Sequence, residues 1–411
     1  MSIRSFKSLR VGSAFLVSGQ AFQAVIGFAV NLVLVRYLTP EEFGRFALIL
    51  ATARLAYAFF SLRIDAMIIR ASDARLDNPT SEKYFSASII ETIFATCLVV
   101  LWLTSSMEFG FWELSLVAAL GLRHWTQHNK AFFERSMPYR KLAVMETLAA
   151  TTAHMVALFL VIAGAGWSAL FVRELVLSLA GLIGLIVIGG LTMHRFRFPR
   201  AAEWRDLFVE ARGMWLDSML ENGFQRLTIL LVGMIGGERA AGFFFQAQRL
   251  AIVPHQFLTP IVNRVASNWF GRVENSAQRI RGRNRLLVFV GMPLFGLAVI
   301  CVAFADPIVP WLFGNAWHRS ADLLAAMFGI VAFMSLFEIM KVYCWMTRQL
   351  KQLILGRVVQ YAGCLLPLVF IAEGRFSGDM AISVGQSLAF ALAFVTVIAQ
   401  LSLLEKRASV A

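Results

Sequence analysis

The chain has 411 residues, of which 58% are hydrophobic and 15% charged, against roughly 45–50% and about 25% in an average soluble domain; its mean hydropathy is +0.69. Too few polar residues are present to cover the two or three soluble domains that this length would suggest, which excludes secreted, disordered and nucleic-acid-binding classes despite a formal charge of +13. Cys97, Cys301, Cys344 and Cys364 stand singly in apolar stretches without CxxC or metal-ligand spacing, so neither a disulfide framework nor a zinc site is expected.

A helix needs about 20 apolar residues to cross a bilayer, and twelve such stretches are predicted. The first, 13–36, carries a polar stripe of Gln20, Gln23, Gly27 and Asn31. The second, 43–63, holds Arg54 midway, with no acid within a turn or two on the same helix. The third is 84–106. The fourth, 111–128, is interrupted by Arg123, His124 and Gln127. After 142–164 comes the sixth, 167–190, with Arg173 and Glu174 near one end. Being adjacent, those two point in different directions, so their ion pairs are expected to involve other helices. The seventh, 213–235, places Asp217, Glu221 and Gln225 on one face by their four-residue spacing, with Arg226 following. The eighth, 240–262, repeats the pattern with Gln246, Arg249 and Gln256, and Pro254 and Pro260 are expected to kink it. The ninth is 286–306. The tenth, 321–345, has Glu338 and Lys341 at a spacing that lets them neutralise one another. The last two are 355–372 and 380–403.

The basic residues orient these spans. With the N-terminus inside, the inner segments hold 28 of the 38 Lys and Arg and the short outer turns hold five. Both termini are therefore predicted to be cytoplasmic. The net charge is first an orientation signal, and the inner clusters are also placed to touch anionic lipid headgroups.

The chain reads as a duplication. Leu38-Thr-Pro-Glu-Glu-Phe-Gly44 follows the first span and Ile235-Gly-Gly-Glu-Arg-Ala-Ala-Gly242 follows the seventh, about half the chain later. In each, a short acidic turn and a glycine open the next helix, which carries an arginine (Arg54; Arg249) one to three turns in. The expected fold is an all-α integral membrane protein of about twelve helices in two six-helix parallel repeats around a central cavity. Its bundles are 1–195 and 213–411, joined by a cytoplasmic linker at 196–212.

A charge at the bilayer centre costs roughly 2.5–3.5 kcal/mol on insertion scales, so such residues usually face a bundle interior or water. The polar stripes most economically line a common wet cavity. Its expected lining is Asn31, Gln20, Glu221, Gln225, Gln246, Gln256, Lys341 and Glu338, with Arg54, Arg249, Arg226 and Arg173 as the cationic groups. His154 and His255 are isolated, no nucleophile elbow, P-loop or HExxH is present, and neither catalytic residues, a metal nor a cofactor are expected.

Several segments resemble the polysaccharide-transporter branch of the multidrug/oligosaccharidyl-lipid/polysaccharide (MOP) exporter superfamily, the Wzx-type flippases of lipid-linked oligosaccharides. They are Arg36-Tyr-Leu-Thr-Pro-Glu-Glu-Phe-Gly-Arg-Phe-Ala47, Phe132-Phe-Glu-Arg-Ser-Met-Pro-Tyr-Arg-Lys-Leu-Ala143, Gly237-Glu-Arg-Ala-Ala-Gly-Phe-Phe-Phe-Gln-Ala-Gln-Arg-Leu250 and Leu312-Phe-Gly-Asn-Ala-Trp-His-Arg-Ser-Ala-Asp-Leu-Leu324. The resemblance implies a multi-pass protein of the bacterial cytoplasmic (inner) membrane that alternates between inward- and outward-open states. Its implied cargo is a polyprenyl-diphosphate-linked sugar repeat unit for exopolysaccharide, capsule or O-antigen assembly, and its implied partners are membrane lipids and the polymerase and glycosyltransferases of the same pathway. On that reading Arg54 and Arg249 hold the diphosphate, with Arg226 or Arg173 assisting. A multidrug or cation exporter of the same superfamily is the alternative, but buried acids should then outnumber buried bases. A membrane polymerase or glycosyltransferase is a third class, and it needs a sizeable outer loop where every predicted outer turn is short.

Overall fold

The computed structural model describes residues 3–71, 76–106, 109–273 and 275–410; Arg75 and part of the turn after the third predicted span lie outside them. Among the described residues all regular structure is helical: α1 (Ile3–Tyr37), α2 (Pro40–Phe60), α3 (Ile64–Arg70), α4 (Asn78–Ser106), α5 (Phe111–Glu134), α6 (Tyr139–Ile162), α7 (Ser168–Val187), α8 (Ala201–Arg272), α9 (Ser276–Phe313), α10 (His318–Ala326), α11 (Phe328–Met346), α12 (Leu350–Leu365), α13 (Val369–Ala372) and α14 (Gly378–Val410). Ten helices among them are long and apolar enough to cross a membrane.

The difference from twelve has two causes. The seventh and eighth predicted spans form the single element α8, which leaves helical dihedrals at Gly237 (φ 75, ψ −173). Only glycine adopts that conformation cheaply, so the break falls there, while Pro254 and Pro260 stay helical. The fourth span becomes α5, which runs on to Glu134 and is too polar in its second half to qualify by composition. The stretch 196–212, expected as a linker, is helical from Ala201 onward.

The helices gather into two compact units, Met1–Leu38 with Leu48–Leu227, and Thr39–Ala47 with Thr228–Ala411. In the first, α6 packs on α1 and α7, and α5 packs on α3, α4 and α7. The short α3 had no signature in sequence. It buries Ile64, Met67 and Ile68 against Leu207 and Ala211 of α8, and Arg135 donates to the carbonyls of Ile68 (2.7 Å) and Ala71 at its end. Segment 189–200 is tied to α5 by two reciprocal hydrogen bonds between Asn129 and Thr192, at 2.7 and 2.9 Å. Large apolar side chains remain exposed on α6 and α7, among them Phe159 and Val187. That is the surface a helix presents to lipid.

In the second unit α12 packs on α14, and α11 on α9 and α14. Arg283, in the predicted inner segment before the ninth span, is 2% exposed. It grips the Glu405 carboxylate at 2.6 and 3.3 Å and stacks over Tyr343. Arg357 lies buried over Phe337. Neither is available to a lipid headgroup.

The start of α2 belongs to this unit and shows why its sequence motif has the composition it does. Thr39 caps the helix, with Pro40 as its first residue, and Glu42 reaches back to the Thr39 amide at 2.8 Å while the Glu42 amide donates to Thr39 Oγ1 at 3.3 Å. Trp317, from the last of the family-like segments, is buried edge-on to Phe43 and Phe243. Arg319 joins Asp322 and Asp379, both at 3.0 Å.

Candidate functional site: an arginine-lined cavity

In the first unit Arg54, Tyr57 and Ala58 of α2, Leu120, Arg123, His124 and Gln127 of α5, and Asn222 and Arg226 of α8 line a cavity of about 380 Å³. Each contributing helix is amphipathic only locally: a long apolar run is broken by one or two polar residues, and those residues share a side. Behind Arg54 and Arg123 lies Glu174 of α7, whose side chain is 5% exposed. Its Oε1 takes a hydrogen bond from Arg173 at 2.9 Å. Its Oε2 lies 3.6 Å from Arg123 and 3.9 Å from Arg54.

Adjacent residues do therefore pair here, contrary to the expectation for Arg173 and Glu174. The long guanidinium arm folds back along the helix to its neighbour, and other helices add to the pair instead of replacing it. Arg54, with no acid within two turns of it on α2, finds one on α7. Three guanidiniums thus share one carboxylate, and with Arg226 beside them the cluster holds three positive charges in excess. Among the described residues Arg226 makes no ion pair, and Arg54 and Arg123 keep 34% and 49% of their side-chain surface exposed. Such an arrangement is poised to accept an anion, because guanidinium keeps its charge when desolvated and binds phosphate oxygens through a two-pronged fork.

Of the predicted cationic groups, the structure brings Arg54 and Arg226 to this cavity and puts Arg173 behind it. Arg249 belongs to the second unit and is not part of it. Arg123 is the residue that sequence reasoning missed, having been read only as an interruption of the fourth span. The usable signal was His124 and Gln127 beside it in an otherwise apolar helix.

The predicted polar stripes disperse. On α1, Gln23 donates to Thr147 of α6 at 3.2 Å and Gly27 approaches His154, so that stripe is a helix contact. Gln20 is exposed and Asn31 is buried. Glu221 and Gln225 are half-buried on α8 and do not line the cavity. In the second unit Gln246 is fully buried and Gln256 exposed. His255, read as isolated, meets Ser335 and Thr259. Glu338 and Lys341 do neutralise one another, at 2.8 Å. A lone buried charge costs several kcal/mol where its pair is tolerated. Lys341→Met is therefore expected to reduce folded protein markedly, and Glu338→Gln added to it should restore most of the loss, as read by detergent-solubilised yield and melting temperature.

Beside the cavity sits a second polar cluster, also unforeseen. Glu91 of α4 lies 2.7 Å from His128 Nε2 and 3.3 Å from His124 Nε2, both on α5. The Leu62 amide donates to the other Glu91 oxygen at 3.1 Å. Asp65 of α3 is paired with Arg63 at 3.2 Å. Burial pushes the Asp65 carboxyl up, but Arg63 and then His128 outweigh it and hold it below its ordinary value. Arg63 also donates to Ser218 of α8 at 2.9 Å.

Residues 33–322, well over half the chain, match the model of the family described as polysaccharide biosynthesis protein. The chain belongs to that family. One stretch of the chain is 29% identical over 115 residues to the lipopolysaccharide biosynthesis protein WzxC of Escherichia coli strain K12, covering 27% of this chain and 23% of WzxC. The matched stretch spans about a quarter of that relative's length. In fold, the chain is similar to lipid II flippase MurJ in an inward closed conformation, with TM-score 0.72, 11% identity, and 94% of this chain and 87% of that one covered. It is also similar to an inward-facing multidrug resistance MATE transporter of the MOP superfamily, at TM-score 0.63 and 14% identity over 96% and 99% of the two chains. A MOP superfamily transporter from Pyrococcus furiosus gives TM-score 0.57 and 13% identity, with 96% of each chain covered. The chain is accordingly an all-α, multi-pass membrane protein with the MOP transporter fold, and its neighbours in fold are a flippase and transporters.

Proposed function

We propose that this protein flips polyprenyl-diphosphate-linked oligosaccharide repeat units across the bacterial cytoplasmic membrane for surface polysaccharide assembly. On this reading it works by alternating access, as a duplicated pair of six-helix repeats with both termini cytoplasmic. The observation that carries the reading is the cavity of Arg54, Arg123 and Arg226, to which, among the described residues, only the Glu174 carboxylate comes within ion-pair distance, in a chain otherwise poor in charge. A diphosphate diester brings two negative charges and several acceptor oxygens, and it cannot enter hydrocarbon uncompensated. Arg54 and Arg226 hold it directly, Arg123 joins them, and Arg173 keeps Glu174 occupied so that the other guanidiniums can turn to the cargo. A cation exporter would need the reverse balance: an excess of three guanidiniums repels a cationic drug.

Deletion of the protein is expected to leave a lipid-linked sugar accumulating on the cytoplasmic leaflet, measured by leaflet-selective labelling of extracted lipids. No accumulation would refute the proposal. The orientation is read separately. A reporter active only in the periplasm should be active when fused after Gly110 or Gly237 and silent after Arg200 or Arg283, and reversal at two sites would overturn it.

A further inference from the structure

Glu91, His124 and His128 have an arrangement that the arginine cavity alone does not explain. The three facing atoms, Glu91 Oε1 and the two Nε2 atoms, lie 2.7, 3.1 and 3.3 Å apart. Glu91 is 5% and His128 3% exposed. Three convergent donors at this spacing suggest either a divalent metal or a shared proton, and one contact decides between them. The Asp65 backbone N–H points at His128 Nδ1, 3.1 Å away, so Nδ1 is an acceptor. The proton of neutral His128 must then sit on Nε2 and be donated to Glu91. A metal would need that same Nε2 lone pair, and binding it would break the contact with Asp65. Neutral His124 carries one ring proton and keeps one ring nitrogen free to accept another. A proton bound there forms one new N–H bond, and the resulting imidazolium directs its Nε2–H at Glu91 Oε1, 3.3 Å away.

We propose that Glu91, His124 and His128 form a proton-binding site whose occupancy is linked to anion binding in the adjoining cavity, each favouring the other. His124 belongs to both: it completes the carboxylate cluster and lines the arginine cavity. The surrounding charges set the sign. Asp65 is matched by Arg63 and Glu174 by Arg173, while Tyr57 of α2, stacked on the His124 ring at 4.9 Å, is neutral. This leaves Glu91 favouring a proton on His124, and Arg54, Arg123 and Arg226 opposing it. An anion held by those arginines cancels the opposition, so the proton enters with the anion. By reciprocity the anion binds more tightly where the proton is available. This inference rests on the anion-cavity reading proposed above.

The test uses the full-length protein in nanodiscs and P1,P2-dimethyl diphosphate as probe, a diester whose two charges stay fixed across the histidine range. Affinity is expected to tighten about tenfold from about pH 8 to about pH 6, within the range typical of linked sites. Calorimetry in two buffers of different ionisation enthalpy should show a fraction of a proton taken up per anion. In His124→Gln both the pH dependence and the proton uptake should disappear. An affinity independent of pH in the wild type, or unchanged pH dependence in His124→Gln, would overturn the linkage. Stoichiometric zinc binding lost in His124→Gln would show a metal site instead. If the probe fails to bind at any pH, the anion reading fails and the linkage with it. The proton site is then judged alone by histidine 15N NMR: a joint titration of His124 and His128 that Glu91→Gln uncouples supports it, and two independent titrations near the ordinary value of about 6.5 refute it.

Discussion

Arg226→Ala is expected to abolish surface polysaccharide almost completely while the protein remains inserted and abundant. The reason lies in what Arg226 does not touch. Among the described residues it makes no ion pair, and it lines the cavity beside Arg54 and Arg123, so its removal breaks no carboxylate contact. Losing one arm of a buried, hydrogen-bonded ion contact typically costs about 2–5 kcal/mol, which corresponds to roughly thirtyfold to several-thousandfold in cargo affinity. Arg54→Ala should act in the same direction with some loss of stability in addition, because Arg54 also lies 3.9 Å from Glu174. Arg226→Lys should keep part of the activity, since a point charge survives and the planar fork does not. Arg281→Ala is the control, being exposed at the start of α9, and export should stay at the wild-type level because exposed charges are screened. Normal export from both cavity variants would sink the anion site. If the variants fail to accumulate, these arginines are structural.

How much of this was readable from sequence differs sharply between fold and site. Helical class, span positions and the break after Ile235 follow from apolar run length and from glycine, both of which are local properties. α3 was not readable: at seven residues it is too short to show a period, and tertiary burial of Ile64 and Ile68 makes it. The site was half legible. Arg54 and Arg226 stood out because a charge inside an apolar helix is costly wherever it points, and the two do meet. Their company could not be read, because helical spacing reports which residues share a face and not which face opposes it. Thus Gln23 and Gly27 turned to α6, and Arg123 joined the site from a helix whose polar end resembled a loop. Arg249 stands at the matching place in the repeat. That place identifies the helix that carries it, not the side chains it meets. Glu91, His124 and His128 come from two helices, and only their packing makes them a cluster.

Gly242→Ala is expected to prevent folding, and Gly44→Ala should do nearly the same. These glycines occupy the corresponding positions of the two repeated motifs, and in the second unit they face one another. A Cβ on Gly242 would lie 1.8 Å from the Pro40 carbonyl oxygen and 3.1 Å from the Gly44 amide nitrogen; one on Gly44 would lie 1.7 Å from the Glu238 oxygen. Every obstructing atom is backbone at the start of a helix, so no rotamer change relieves the clash. The two helix starts would have to separate, which pulls Phe43 and Phe243 from Trp317. Overpacking alone typically costs about 1–3 kcal/mol where side chains can adjust, so a clash between rigid backbones should exceed that range. Gly181 and Gly296 supply the contrast: both are helical, and an added Cβ meets nothing within 4 Å. Alanine at either should be neutral or slightly stabilising, because helical glycine is less favourable than alanine by about 1 kcal/mol. Size-exclusion melting curves of the four variants give the comparison. If Gly242→Ala melts with the wild type, the repeated acidic-turn glycine is not retained for close approach, and the packing assigned to the motif is wrong.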